Sequence, residues 1–329
     1  MPKISVIISV YNGEKTIEAT INSVLQQTFD DFELIIINAS STDSTLEIIY
    51  QIQDERIKVF TYNRANVAVN RNRGFNHAKS EFITFLDADD LWTPDKLEAQ
   101  YKVLLENPEA GVAYSWSNCI DETGKFLRGC SYVKWDCDVY PKLLLDDFIG
   151  SGSNVMIRAS AFSAVGGFDE SLSNAQDTDM WLRLATHYHF VVVPKAQILY
   201  RISPSSMSSD ILGLEKSNLQ VIKRAFAHEK AASLQHLKRY SIANLYKYLS
   251  YKALSTPPGQ HNFPVAARFL WQTVRTDPFM LLKPVIYKAC LKLIAMSLLP
   301  PVAAQVLLTK FPRLSNTSTF LGYEKLDLV

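Results

Sequence analysis

Ile4 to Val10 is apolar apart from Ser5 and Ser9, which predicts one buried strand running into a Tyr11-Asn12-Gly13 turn. Apolar residues then recur at Ile17, Ile21, Val24 and Leu25, the i, i+4, i+7, i+8 spacing of a helix face. Phe32 to Ile37 repeats the strand pattern, and Ser41-Thr42-Asp43 leads into a helix from Leu46 to Ile52. Ile57 to Tyr62 and Phe82 to Leu86 predict two further strands. Strand and helix alternate in units of about thirty residues, the signature of a parallel sheet covered by helices. Ligands of such sheets sit at the carboxyl ends of the strands, where Tyr11, Asn38 and Asp87 would emerge.

Beyond Gly111 the pattern is less regular. Short strands are predicted at Ala113 to Trp116, Asn154 to Arg158 and Phe190 to Val193. Between the last two lie a Gly166-Gly167-Phe168-Asp169 turn and a helix from about Thr178 to His187. After Arg201 the chain turns helical, with a break at Thr256-Pro257-Pro258-Gly259. Pro278 to Leu308 is the most apolar segment and carries only Lys283, Lys288 and Lys292. Its uncharged part is too short, and too broken by Pro300-Pro301, for a spanning helix. A helix lying in the headgroup plane and a core-packing helix pair fit it equally well.

Charge divides the chain. Residues 211–329 hold 16 Lys/Arg against 5 Asp/Glu, and residues 1–210 hold 18 against 28, although the net charge is only +1. That change of sign predicts two regions, 1–210 and 211–329, the second suited to an anionic neighbouring surface. This second region is strongly apolar and its aromatics do not alternate with charges as a stacking platform would, which argues against nucleic acid. Cys119, Cys130, Cys137 and Cys290 form no Cys-x-x-Cys pair, and the sequence opens without a charged-then-apolar leader. Both features favour a reducing, cytoplasmic location with isolated structural thiols.

The densest chemistry lies between residues 82 and 96. A β-rich run ends in three carboxylates, Asp87, Asp89 and Asp90. Crowded carboxylates repel one another and resist burial, so a counter-charge is needed. Mg²⁺ or Mn²⁺ would supply it, binding through few carboxylates and sharing substrate phosphates. A helix-capping turn before Pro94 would account for the aspartates equally well.

The order Ser5-Val-Ile-Ile-Ser-Val-Tyr-Asn12, Ser41-Thr-Asp43, Asn70-Arg-Asn-Arg-Gly74, Leu86-Asp-Ala-Asp-Asp90, Gly166-Gly-Phe-Asp169 and Gln176-Asp-Thr-Asp179-Met-Trp-Leu-Arg183 resembles the family 2 glycosyltransferases. The resemblance covers roughly residues 3 to 205. It implies an α/β, Rossmann-like glycosyltransferase A-type domain with a mostly parallel central sheet, followed by a helical C-terminal region. It also implies inverting transfer of a sugar from a nucleoside diphosphate-sugar to a hydroxyl of a glycan or lipid-linked acceptor. By the same resemblance Asp87 and Asp89 form the DxD motif, touching ribose and holding Mg²⁺ or Mn²⁺. Arg71 lies along the nucleotide, Tyr11 stacks near the base, and Ser9 and Asn38 line the donor site. Asp177 is then the general base. Cell-surface or exported polysaccharide synthesis follows, at the inner face of the plasma membrane and with peripheral attachment to an anionic membrane surface.

Each role suits its chemistry. Displacement at the anomeric carbon needs a proton acceptor on one side and a stabilised diphosphate on the other. The alternative for Asp177 is an N-cap on its helix, with Asp179 an exposed charge in the second turn. His187 and His189 read as solvated side chains at a helix exit. The chain departs from the family at Asn38-Ala39, where acids usually end the second strand, so no uridine preference follows. Gln176 replaces the usual Glu, which removes a like charge beside Asp177. The His that follows the family's Tyr-Arg is missing after Tyr200-Arg201. A catalytically impaired nucleotide-sugar-binding or scaffold module is the competing reading. A Rossmann dehydrogenase is disfavoured, because Tyr11-Asn12-Gly13-Glu14 lacks the glycine spacing that admits a pyrophosphate.

Overall fold

The computed structural model describes residues 1–203, 210–255 and 263–323. The break expected at Thr256 to Gly259 lies outside the described residues. Two compact units form: one from residues 1–143 and 147–203, the other from 144–146 and 210–323.

The first unit is built on β1 (Ile4–Val10), β2 (Phe32–Asn38), β3 (Ile57–Thr61) and β4 (Phe82–Asp87), in the spatial order β3-β2-β1-β4 and all parallel. Helices α1 (Ile17–Leu25), α2 (Thr45–Gln51) and α3 (Val67–His77) make the crossovers. Covered on both faces, β2 is buried along its whole length and β1 at every position but Ser9. That explains the continuous apolar runs. Gly74 lets α3 come close, since a Cβ there would lie 2.3 Å from Ile7 Cγ2. Register pairs Ser9 with Asp87 and Val10 with Asn38, so the strand ends that carry the expected site residues lie side by side.

The sheet continues through β5 (Leu91–Trp92), β6 (Ala110–Ile120), β7 (Phe126–Gly129), β8 (Met156–Arg158) and β9 (His189–Arg201). Beyond β4 the order is β8-β6-β9-β5, with β7 hydrogen-bonded to β6. β8 runs antiparallel to both β4 and β6, whereas β6 and β9 are parallel. Helices α4 (Lys96–Glu106), α5 (Tyr140–Leu143), α6 (Ala159–Ala164) and α7 (Gln176–Ala185) complete the unit. The result is the expected mostly parallel α/β domain with a helical C-terminal region.

Two strands are much longer than the apolar runs that announced them. β6 takes in Ser115, Ser117 and Asn118, and β9 takes in Lys195 and Gln197, polar residues that interrupt the pattern and coincide with register shifts. The β6–β7 hairpin also corrects the expectation of isolated thiols. Cys130 N–H donates to Ser117 O at 2.9 Å, which brings its Sγ to 2.8 Å from Cys119 Sγ.

The second unit contains α8 (Ile211–Ala227), α9 (Lys238–Ser255), α10 (Phe263–Thr276), α11 (Pro284–Leu298) and α12 (Pro301–Lys310). Its core gathers Leu249, Leu254, Phe269, Met280, Ile286 and Phe320. A buried ion pair, Lys247 Nζ to Asp277 Oδ2 at 3.0 Å, crosses the interior. Among the described residues no helix is long and apolar enough to cross a membrane.

Candidate active site

β4 delivers Asp87 at its carboxyl end, and the following turn exposes Asp89 in part while burying Asp90 completely. The three aspartates therefore differ in kind. Asp90 uses both oxygens inside the fold: Oδ2 accepts from Ser153 Oγ at 2.6 Å and Oδ1 from Arg201 N–H at 2.9 Å. Ser153 Oγ in turn accepts the Asp87 N–H at 3.0 Å, and Arg201 Nε donates to Asp89 O at 2.8 Å. The turn that carries the DxD pair is thus pinned from β8's side and from β9. Burial, with the charges of Asp89 and Asp87, pushes the Asp90 carboxyl well above the usual range.

Asn66 caps α3 by accepting the Val69 N–H at 2.9 Å, and the helix then presents Asn70, Arg71, Asn72 and Arg73 in succession. Arg71 turns inward, its side chain only 3% exposed. Nη2 donates to Asp87 Oδ1 at 2.6 Å and Nη1 donates to Asp177 Oδ1. Burial alone would lower the guanidinium's pKa, but the charges of Asp177 and Asp87 outweigh it and raise it. Asn72 faces the turn ahead of α7: its Nδ2 donates to Phe168 O at 3.0 Å and its Oδ1 accepts the Phe168 N–H at 2.9 Å.

Asp177 lies in the first turn of α7, not at its cap, which is Ala175 with φ 57°. The N-cap alternative is therefore overturned. Asp179 is no exposed charge either: it is 5% exposed and bonded to Arg183 Nε at 2.7 Å. His187 and His189 are solvent-exposed, as expected. Burial raises the Asp177 carboxyl to about 6; Arg71 opposes the rise, while Asp87 and Asp147 add to it. Asp147 sits close by, its Oδ2 accepting from Thr178 Oγ1 at 2.6 Å.

At the mouth, the Tyr11 ring is 38% exposed and Arg64 lies over it, 4.1 Å from the ring centroid. Ser9 is half-buried at the end of β1. Asn38 is turned into the fold: its side chain is fully buried, Oδ1 accepting from Ser41 N–H at 3.1 Å and Nδ2 donating to Thr61 Oγ1 at 3.3 Å. It holds the turn after β2 and offers no exposed atom to a ligand.

The donor set at Asp87 and Asp89 fits a divalent cation. Burial and the neighbouring Asp87 charge raise the Asp89 carboxyl to about 6, a repulsion that such an ion would relieve. Among the described residues no group of three or more His, Cys, Asp or Glu is arranged to hold a metal alone. A two-carboxylate site that shares substrate phosphates needs no third.

Gly152, Ser153, Asp147, Asn72, Arg64 and Arg201 were not anticipated. Of these only Asn72, in the Asn70 to Gly74 motif, and Arg201, in the Tyr-Arg pair, carried a sequence signal, and neither signal had a role attached.

The mixed sheet, parallel through β3-β2-β1-β4 and continued by β8, β6, β9 and β5, is that of a glycosyltransferase A-type domain. The profile described as "Glycosyltransferase like family 2" matches residues 5–253, and the chain belongs to that family. It is 29% identical over 248 residues to the Escherichia coli UDP-Glc:alpha-D-GlcNAc-diphosphoundecaprenol beta-1,3-glucosyltransferase WfgD, covering 74% of this chain and 94% of that protein. An uncharacterised glycosyltransferase of Methanocaldococcus jannaschii is 31% identical over 208 residues, 61% of this chain and 71% of the other. In fold it resembles the Pyrobaculum calidifontis mannosyltransferase PcManGT, solved with GDP-Man and Mn²⁺: TM-score 0.58, 18% identity, 98% of this chain and 88% of that one. An S. aureus TarS structure with UDP-GlcNAc gives TM-score 0.54 at 18% identity, covering 98% and 90%.

Proposed function

We propose that the chain is an inverting, metal-dependent glycosyltransferase, moving a sugar from a nucleoside diphosphate-sugar to a hydroxyl of a glycan or lipid-linked acceptor. One observation carries this: Arg71 bonds Asp87 and Asp177 at once, joining the leaving-group side of the reaction to its base. The acceptor oxygen attacks the anomeric carbon as the bond from that carbon to the diphosphate oxygen breaks. Asp177 takes the hydroxyl proton, and the electron pair of the broken bond stays on the diphosphate. Arg71 is positioned to turn a cation toward that diphosphate, which would release Asp177 for the acceptor. Mg²⁺ or Mn²⁺ held by Asp87 and Asp89 would supply Lewis-acid neutralisation of the departing charge. Tyr11 with Arg64 suits the nucleobase end, and Ser9 the floor between the two.

The WfgD relative, named for a diphosphoundecaprenol-linked substrate, supports a lipid-linked acceptor; we place the reaction at the inner face of the plasma membrane, in surface polysaccharide assembly. Residues 1–210 would be catalytic, and residues 211–329 would attach to the membrane. The missing acids at Asn38-Ala39 favour a second reading, a catalytically impaired nucleotide-sugar-binding or scaffold module. Diphosphate release from a panel of nucleotide-sugars, with and without Mn²⁺, separates the two. Metal-dependent release that disappears in Asp177→Asn supports the transferase. Thermal stabilisation by a nucleotide-sugar without any release supports the binding module.

A further inference from the structure

Helix α11 is apolar on two opposite faces. Val285, Ile286, Ala289 and Leu293 turn inward and are buried. Tyr287, Leu291, Ile294 and Leu298 follow one another at i, i+4, i+7, i+11 and are 60%, 56%, 51% and 77% exposed. That spacing sets the four on one narrow stripe. Past Pro300, Val302 and Val306 of α12 are 78% and 62% exposed, again one turn apart. The inner face is enough to dock α11 on its unit, so the outer stripe exceeds what the fold requires. Contiguous apolar exposure on this scale marks a contact surface.

The charge around it has one sign. Residues 263–323 hold seven lysines and arginines against a single carboxylate, Asp277. Asp277 is buried on Lys247, while Lys283, Lys310 and Arg313 are exposed. The polar atom of the stripe is already satisfied, because the Tyr287 hydroxyl donates to Leu281 O at 2.8 Å.

We infer that the outer stripe of α11, continued by Val302 and Val306, is the face by which the chain lies on an anionic lipid surface. The apolar side chains enter the boundary below the headgroups, and the lysines and arginines meet lipid phosphates. Charge chooses this occupant over a second copy: two such faces would oppose like charges, with no exposed carboxylate among the described residues 263–323. A lipid surface is also where a lipid-linked acceptor resides, so the inference deepens, and in that respect rests on, the function proposed above.

The test sediments the 329-residue chain with vesicles of phosphatidylcholine alone or mixed with phosphatidylglycerol. The wild type is expected to bind the anionic vesicles, and to bind them less as salt is added. Leu291→Glu with Leu298→Glu should weaken that binding about tenfold or more. A second variant, Lys310→Glu with Arg313→Glu, changes only exposed residues and should weaken it too if the first fails to fold. Wild-type protein left in the supernatant, or binding indifferent to both variants, overturns the inference. So does a concentration-dependent dimer that Leu291→Glu with Leu298→Glu dissolves while vesicle binding is absent. No donor or acceptor enters the assay, so it can fail while metal-dependent diphosphate release stands, and the reverse.

Discussion

Gly152 packs directly on the Arg71 guanidinium, so closely that a Cβ at that glycine would sit 2.2 Å from Nη2. The position serves space rather than backbone freedom, because Gly152 does not occupy the left-handed region. Gly152→Ala should therefore fold, yet displace Arg71 from Asp87 and Asp177. Misplacing a positioning group by about an ångström lowers rates by up to about 10²-fold. Diphosphate release should fall by that order while the far-ultraviolet dichroism stays unchanged.

A base must be ionised to accept a proton. With the Asp177 carboxyl at about 6, kcat/KM should rise with pH through a midpoint near that value. Asp177→Asn should remove about 10² to 10⁴ of the rate and leave thermal stabilisation by the donor in place. Gln176→Glu puts a like charge next to the base and should move the rising limb to higher pH. A profile that does not shift would remove Gln176 from the electrostatics of the site.

The Asp89 carboxyl, also raised to about 6, makes a stability prediction of definite sign. A folded pKa above the unfolded one means that the unfolded chain ionises first, so this group destabilises the fold increasingly as pH rises from about 4 to about 6. Asp89→Asn should gain melting temperature relative to the metal-free wild type across that window and hold the gain above it. The same variant should lose stabilisation by Mn²⁺ and metal-dependent turnover, both measurable by thermal shift and diphosphate release.

Ser153→Ala removes a donor from the buried Asp90 and an acceptor from the Asp87 N–H. Leaving such buried groups unpaired costs about 1–3 kcal/mol. Urea denaturation should show that loss, and kcat should fall as the Asp87 turn loosens. Unchanged kcat at reduced stability would confine Ser153 to the fold.

Much of this architecture was legible in the sequence, and what was not has a common cause. β1, β2 and β4 are buried on both faces, so their apolar runs are nearly continuous and their limits emerge almost to the residue, whereas β3 ends the sheet and is only half-buried. β6 and β9 were truncated because Ser117 and Gln197 are buried as polar residues, their surroundings supplied by distant parts of the chain. The same holds at the site. Asp87, Asp89, Arg71 and Asp177 were singled out by their order along the sequence, and the structure brings Arg71 against both Asp87 and Asp177. Ser153 and Arg201 act because β8 lies beside β4 and β9 beside β6, adjacencies that no local periodicity encodes. Asn38 looked like a ligand contact from its strand-end position. Only its bonds to Ser41 and Thr61 reveal that it faces inward.

Arg71 and Asn72 are neighbours on α3, yet one bonds both Asp87 and Asp177 while the other grips the segment leading into α7. A single helical turn therefore sets the spacing between Asp87, Asp177 and the segment ahead of α7. Each residue advances an α-helix by about 100°, so inserting or deleting one residue between Asn66 and Arg71 would swing both side chains off their targets together. Length in that stretch is fixed by geometry even where amino-acid identity is free, and lineages drifting in sequence would be expected to keep its residue count.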